Sequence, residues 1–131
     1  MSTARRPHLF ASLMAVTAES TGLRDELFQE LSESQPNTLA SIERMLPRIP
    51  LDANRWIFEM DEIASTYESL GVTSHFHKGA GDIMQLANRT PLATGTRETA
   101  IHNLALTDVL RHYVDAINQN EGHTEKQKPT R

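Results

Sequence analysis

The sequence predicts an all-α protein, a single bundle of about six helices. Three observations carry this. Six segments place apolar residues at intervals of three and four, the repeat of one helix face. No segment alternates apolar and polar residues over a strand's length, and Val72-Thr73 is the one short β-prone pair outside the helical segments. Breaks rich in Gly, Pro, Ser and Asn separate the segments. Six helices and no strand leave helix-on-helix packing as the architecture.

The first segment, residues 8–20, follows Pro7. Phe10, Leu13, Met14 and Thr17 mark its expected core face, flanked by Leu9 and Val16, and Thr21-Gly22 breaks it. Leu23, Leu27, Phe28 and Leu31 mark a second helix. Asp25 and Glu26 stand where the positive N-terminal end of its dipole favours acids. After the break Ser34-Gln35-Pro36-Asn37, Asn37 or Thr38 can cap a short third helix carrying Leu39, Ile42, Met45 and Leu46.

The fourth helix has the strongest pattern. Pro47 and Pro50 are expected to exclude helix before it, and Asp52 is the expected N-cap. Trp56, Met60, Ile63, Tyr67 and Leu70 recur at spacings of 4, 3, 4 and 3, and Gly71 stands where a left-handed C′ residue is expected. Glu59, Asp61, Glu62, Ser65, Thr66 and Glu68 make the polar face.

A fifth helix is expected from Thr73 or Ser74 to about Arg89, with Phe76, Ala80, Ile83, Met84 and Ala87 as its apolar set. Gly79 and Gly81 sit inside it. Each costs about 1 kcal/mol of helix propensity relative to alanine, or marks close packing against another backbone. After the loop at 90–96, a sixth helix is expected from about Glu98 to Asn118, with Leu106, Leu110, Tyr113 and Ile117 at helical spacing. The expected plan is a disordered lead at 1–7, a helical domain at 8–118 and a disordered polar tail at 119–131.

The 131 residues suffice for one domain with its own core, at 38% hydrophobic and 23% charged residues. A net charge of −4 argues against a broad nucleic-acid-binding surface. The absence of cysteine excludes disulfides, thiolate catalysis and Cys-based zinc sites. No apolar run approaches the ~18 residues of a membrane span. The expectation is therefore no nucleic-acid partner and no membrane, with a cytoplasmic location. The alternative is mitochondrial, because the first 18 residues carry Arg5 and Arg6 and no acid.

Few residues suggest chemistry. His75 and His77 would share a face in a strand, but in a helix they point ~200° apart and cannot chelate one ion. No metal site is assigned. Gly79-Ala80-Gly81-Asp82-Ile83-Met84 begins like G-x-G-x-x-G but ends in methionine with no preceding strand, so no dinucleotide fingerprint is assigned. Glu98 with His102 and Asp108 with His112 are i,i+4 pairs of the kind common on solvated helix faces.

The run Arg55-Trp56-Ile57-Phe58-Glu59-Met60-Asp61-Glu62-Ile63, entered through Leu46-Pro47-Arg48-Ile49-Pro50, supplies more. R-W-x-x-E-M-x-E-I after such a lead resembles the C-terminal helical domain of 6-phosphogluconate dehydrogenase-like, β-hydroxyacid dehydrogenase-related proteins. That domain long carried a label meaning unknown function. Ala15-Val16-Thr17-Ala18-Glu19-Ser20-Thr21-Gly22-Leu23 resembles the end of its first long helix. Tyr67-Glu68-Ser69-Leu70-Gly71-Val72-Thr73 resembles its turn, and Gly79-Ala80-Gly81-Asp82-Ile83 with Thr90-Pro91-Leu92 its next helix and exit loop. The resemblance covers about residues 9–98.

In such enzymes an N-terminal Rossmann domain binds NAD or NADP. The helical domain closes the substrate site and supplies much of the dimer interface. The resemblance therefore implies a homodimer or a Rossmann-domain partner. It implies NAD(P) for a complete family member, and no cofactor held by these residues alone. Related dehydrogenases carry a catalytic lysine near the start of the domain's first long helix, a place that falls just before Met1. Arg5 and Arg6 stand nearest, and arginine does not exchange a proton near neutral pH. The lysines are Lys78, on another helix, and Lys126 and Lys128 in the tail.

No catalytic residue is assigned. Arg55, Glu59 and Glu62 match motif positions and are the substrate-facing candidates. Arg55 could hold an anionic group as a bidentate donor, or could pair with Glu59 on the helix surface. The expected function is a stand-alone or truncated C-terminal domain of an NAD(P)-dependent dehydrogenase-like protein, not catalytic alone. The alternatives are a piece of an active oxidoreductase of that type and a small helical interaction adaptor.

Overall fold

The computed structural model describes residues 6–96 and 104–125, with side chains from 9 to 96 and from 104 to 119. It is an all-α bundle of six helices, with no strand among the described residues. They are α1 (Arg6–Thr21), α2 (Arg24–Ser34), α3 (Pro36–Met45), α4 (Ile49–Ser69), α5 (His75–Asn88) and α6 (Leu106–Glu125). A single 3₁₀ turn, Pro91–Thr94, follows α5.

Two prolines begin helices rather than preceding them. Pro36 opens α3, and Pro50 is the second residue of α4. A proline lacks the N–H that the first turn could not pair anyway, and its fixed φ suits a helix start. Asp52 is therefore not the N-cap expected of it. It sits inside the first turn, where its charge still complements the helix dipole, and its carboxylate accepts from Arg55 at 3.4 Å. Neither Asn37 nor Thr38 caps α3, because the helix already starts at Pro36 with Gln35 before it. Pro7 likewise lies within α1.

Glycine closes two helices. Gly22 and Gly71 have φ of +76° and +77°. After α4, the Gly71 N–H donates to Glu68 at 3.1 Å and the Val72 N–H to Tyr67 at 2.9 Å. After α1, the Gly22 N–H donates to Glu19 at 3.3 Å and the Leu23 N–H to Ala18 at 2.8 Å. This doubled pattern is the Schellman ending, which requires a left-handed residue.

The core runs through all six helices. Ile42 and Leu46 meet Ile49, Ala53 and Trp56 of α4, Met84 and Ala87 of α5, and Val109, Leu110 and Tyr113 of α6. On α4 the buried positions are Ile49, Pro50, Ala53, Trp56, Met60 and Ala64. Trp56 and Met60 are core as expected. The far end of the expected stripe is not: Ile63 and Tyr67 are half-buried and Leu70 is 74% exposed. α5 folds back on α4 through the short link at 70–74, and that hairpin ends before it could cover Leu70.

α1 departs most from expectation. It buries Leu9, Ala11, Ser12, Ala15, Val16 and Ala18, so mainly small residues face the bundle. The expected core face is turned outward: Phe10 is 57% exposed, Leu13 42% and Met14 49%. Small residues let α1 approach α3 and α6 closely, and the larger ones cannot occupy that side.

The Leu106 start of α6 follows described coil at 104–105, and the helix reaches Glu125, beyond the expected end at Asn118. Of the expected lead at 1–7, Arg6 and Pro7 lie within α1, while residues 1–5, the Glu98–His102 pair, and Lys126 and Lys128 lie outside the described residues.

Candidate functional site

Two surfaces stand out, on opposite sides of α4. The first is the outer face of α4 itself. Arg55 and Glu62 are exposed and Glu59 is half-buried. At i, i+4 and i+7 they share one helix face, as the sequence predicts. Phe58 stands among them, 72% exposed. Sequence reasoning passed over it. Part of the signal was present, since Phe58, with Ile57, is a large apolar residue of the motif that falls outside the Trp56–Met60–Ile63 spacing. An exposed aromatic ring between a guanidinium and two carboxylates offers an apolar contact inside a polar surface.

The Arg55 guanidinium is oriented by Asp52 at 3.4 Å. Both partners lie on the same helix, so the pair adds little stability and leaves the fork able to meet an anion.

The second surface is a groove of about 510 Å³ between α1 and α5. Leu9, Phe10 and Leu13 form one side, and Phe76, Ala80 and Ile83 the other, with Met60 contributed by α4. Phe10 and Phe76 meet edge to face, ring centres 6.0 Å apart at 69°. Phe76 is nonetheless 65% exposed. Arg55, Glu59 and Glu62 do not line this groove.

Two histidines, His75 and His77, stand at the start of α5. Both line the groove, His75 exposed and His77 half-buried, and the His77 ring stacks on Tyr67 with ring centres 4.9 Å apart. Lys78 reaches Glu68 at 3.9 Å. Among the described residues no three His, Asp or Glu side chains gather as a metal site would require. Gly79-Ala80-Gly81-Asp82-Ile83-Met84 lies wholly within α5, without the strand and turn that a phosphate-binding loop needs. Asp108 pairs with Arg111 at 3.6 Å on α6.

Residues 18–87 match the family described as a domain of unknown function, DUF1932. The match covers more than half of the 131 residues, including all of α4. The chain belongs to the DUF1932 family. DUF1932 is a domain found in 6-phosphogluconate dehydrogenase-like proteins. The DUF1932 segment contains Arg55, Phe58, Glu59 and Glu62. It begins after Phe10, Leu13 and Met14, so the α1 side of the groove lies outside it. No curated protein and no solved structure matches the chain. No described helix is long and apolar enough to cross a membrane.

Proposed function

We propose that the chain is the helical C-terminal-type domain of an NAD(P)-dependent dehydrogenase-like protein. In this reading it closes the substrate site of an α/β nucleotide-binding unit and takes part in association, with a copy of itself or with such a unit. The observation that carries it is the DUF1932 match, which spans the α4 face bearing Arg55, Glu59 and Glu62.

The outer face of α4 is suited to such a wall. Arg55 offers a fork for a carboxylate or phosphate, Phe58 a surface for a carbon skeleton, and Glu59 and Glu62 acceptors for hydroxyl groups. Hydride transfer needs the nicotinamide and a group that exchanges a proton with the substrate hydroxyl. In this proposal both come from outside the described residues, and NAD(P) is a cofactor of the assembled protein. We place the protein in the cytoplasm.

Calorimetric titration of NADH and NADPH into the chain tests the division of labour. No saturable heat is expected, and saturable binding of either nucleotide would overturn it. Reading the DNA upstream of the Met1 codon tests the wider setting. A frame encoding strand, G-x-G-x-x-G and helix would make the chain one piece of an active oxidoreductase.

A further inference from the structure

Nothing within the described chain requires glycine at position 79. The residue stands inside α5, its φ is not left-handed, and a Cβ built there would meet no atom within 4 Å. Inside a helix, glycine is the poorest choice short of proline. Gly81 has a packing reason, since its Cβ would lie 3.7 Å from the Met60 side chain. Gly79 opens instead onto the groove between α1 and α5. A bare backbone at such a place lets a ligand approach closely.

The helix repeat sets what surrounds it. His75, Gly79 and Asp82 follow one another at spacings of 4 and 3, and Phe76, Ala80 and Ile83 do the same beside them. All six line the groove. Gly79 is therefore a notch between an imidazole and a carboxylate whose positions lie about 10 Å apart along the helix axis. Close approach of a second helix needs small residues on successive turns. One turn either side of Gly79 stand His75, Phe76, Asp82 and Ile83, so the opening suits a head group rather than a crossing helix.

We propose that the groove binds an organic cation, with an ammonium head over Gly79 beside Asp82 and an apolar body along Phe76, Ile83, Phe10 and Leu13. This goes beyond the dehydrogenase-domain reading and does not rest on it.

Size, charge and aromatic character agree on that class. A volume of about 510 Å³ falls within the ~300–1,000 Å³ of small-molecule clefts, and apolar walls with a few polar groups are their usual build. Neither lysine nor arginine lines the groove, so the full charge on its wall is the Asp82 carboxylate. Among the described residues Asp82 makes no ion pair and no side-chain hydrogen bond. An anionic head would meet that charge uncompensated, whereas an ammonium is drawn to it. Phe10 and Phe76 meet edge to face with more than half of each residue exposed, which leaves ring surface open to a cation. Met60 on the α4 side is unbranched and adapts to the shape of an apolar body.

Titration of octylammonium, octanol and octanoate into the full chain, below micellar concentrations, tests the site by proton–nitrogen correlation NMR. The three probes share a chain length and differ in the head group. Octylammonium should saturate, about three- to tenfold more tightly than octanol, with octanoate the weakest. Its shifts should centre on Phe76, Gly79 and Asp82. Asp82→Asn should bring octylammonium down to the affinity of octanol and leave octanol unchanged. Gly79→Leu fills the notch and should abolish saturable binding of all three while the thermal midpoint does not fall. Octanoate that binds as tightly as octylammonium, the lack of any saturable shift in the groove, or octylammonium binding that survives both Asp82→Asn and Gly79→Leu would overturn the proposal. So would self-association that Gly79→Leu abolishes, or binding to phosphatidylcholine–phosphatidylglycerol vesicles that Phe10→Ser abolishes, because a second copy or a lipid surface would then be the occupant. The NADH and NADPH titrations read a different property, so the dehydrogenase-domain reading stands or falls separately.

Discussion

The Tyr113 hydroxyl donates to the Leu46 carbonyl at 3.2 Å and fastens α6 to the corner between α3 and α4. Both residues are buried. Tyr113→Phe keeps the ring and leaves that carbonyl without this donor in an apolar setting. The expected loss is about 1–2 kcal/mol of unfolding free energy, read from urea denaturation. An unchanged midpoint would show that Leu46 finds another donor.

The same residue predicts alkaline sensitivity. Burial pushes the Tyr113 hydroxyl well above the usual tyrosine range, so the folded state keeps the proton. The unfolded chain releases it near pH ~10. Above that pH the unfolded state binds fewer protons than the folded one, so stability falls as pH rises, by up to about 1.4 kcal/mol per unit. Below about pH 9 this contribution is fully present. Tyr113→Phe should flatten the decline between pH 9 and 11, and an equal slope in both proteins would assign it elsewhere.

Three glycines separate by sign. Gly22→Ala and Gly71→Ala force a Cβ into left-handed backbone, and each should cost about 1–2 kcal/mol. Gly79→Ala stands in ordinary helix with open space around it and should stabilise by up to about 1 kcal/mol. Thermal melts of the three variants check the contrast.

Arg55→Ala should change stability by less than about 0.5 kcal/mol, because its link to Asp52 is an exposed pair within one helix. Phe58→Ser should be similarly mild, since the ring is already in water. In an assembly that turns over substrate, both should raise KM. A variant that unfolds would place the residue in the core instead.

The helices were legible because apolar spacing and glycine stops coincide, most clearly at Trp56, Met60 and Gly71. The inward face of α1 was not. Between Pro7 and Ala18 the helix carries no Asp, Glu, Lys or Arg, so spacing alone cannot rank its faces, and the large residues attract the core assignment. Close packing reversed it, admitting Ala11, Ala15 and Ala18 and turning Phe10 and Met14 out. The prolines misled for a related reason: a helix tolerates Pro36 and Pro50 in a first turn whose N–H groups have no intrahelical acceptor. For the α4 face, helical geometry alone places Arg55, Glu59 and Glu62 together. For Phe58 the spacing goes half-way: Ile57 and Phe58 both fall off the Trp56–Met60–Ile63 spacing, and only the fold separates them, with Ile57 half-buried and Phe58 exposed.

The short link at 70–74 has a kinetic consequence. α4 and α5 meet through contacts between near neighbours in sequence, whereas Tyr113 and Leu46 are 67 residues apart. Closing a short loop loses less chain entropy than gathering distant ends, so the α4–α5 hairpin should form early and α6 should dock late. Truncating Met60 should therefore slow folding, and truncating Val109 should mainly hasten unfolding. The end of the chain that carries Tyr113 is then the part that lets go first.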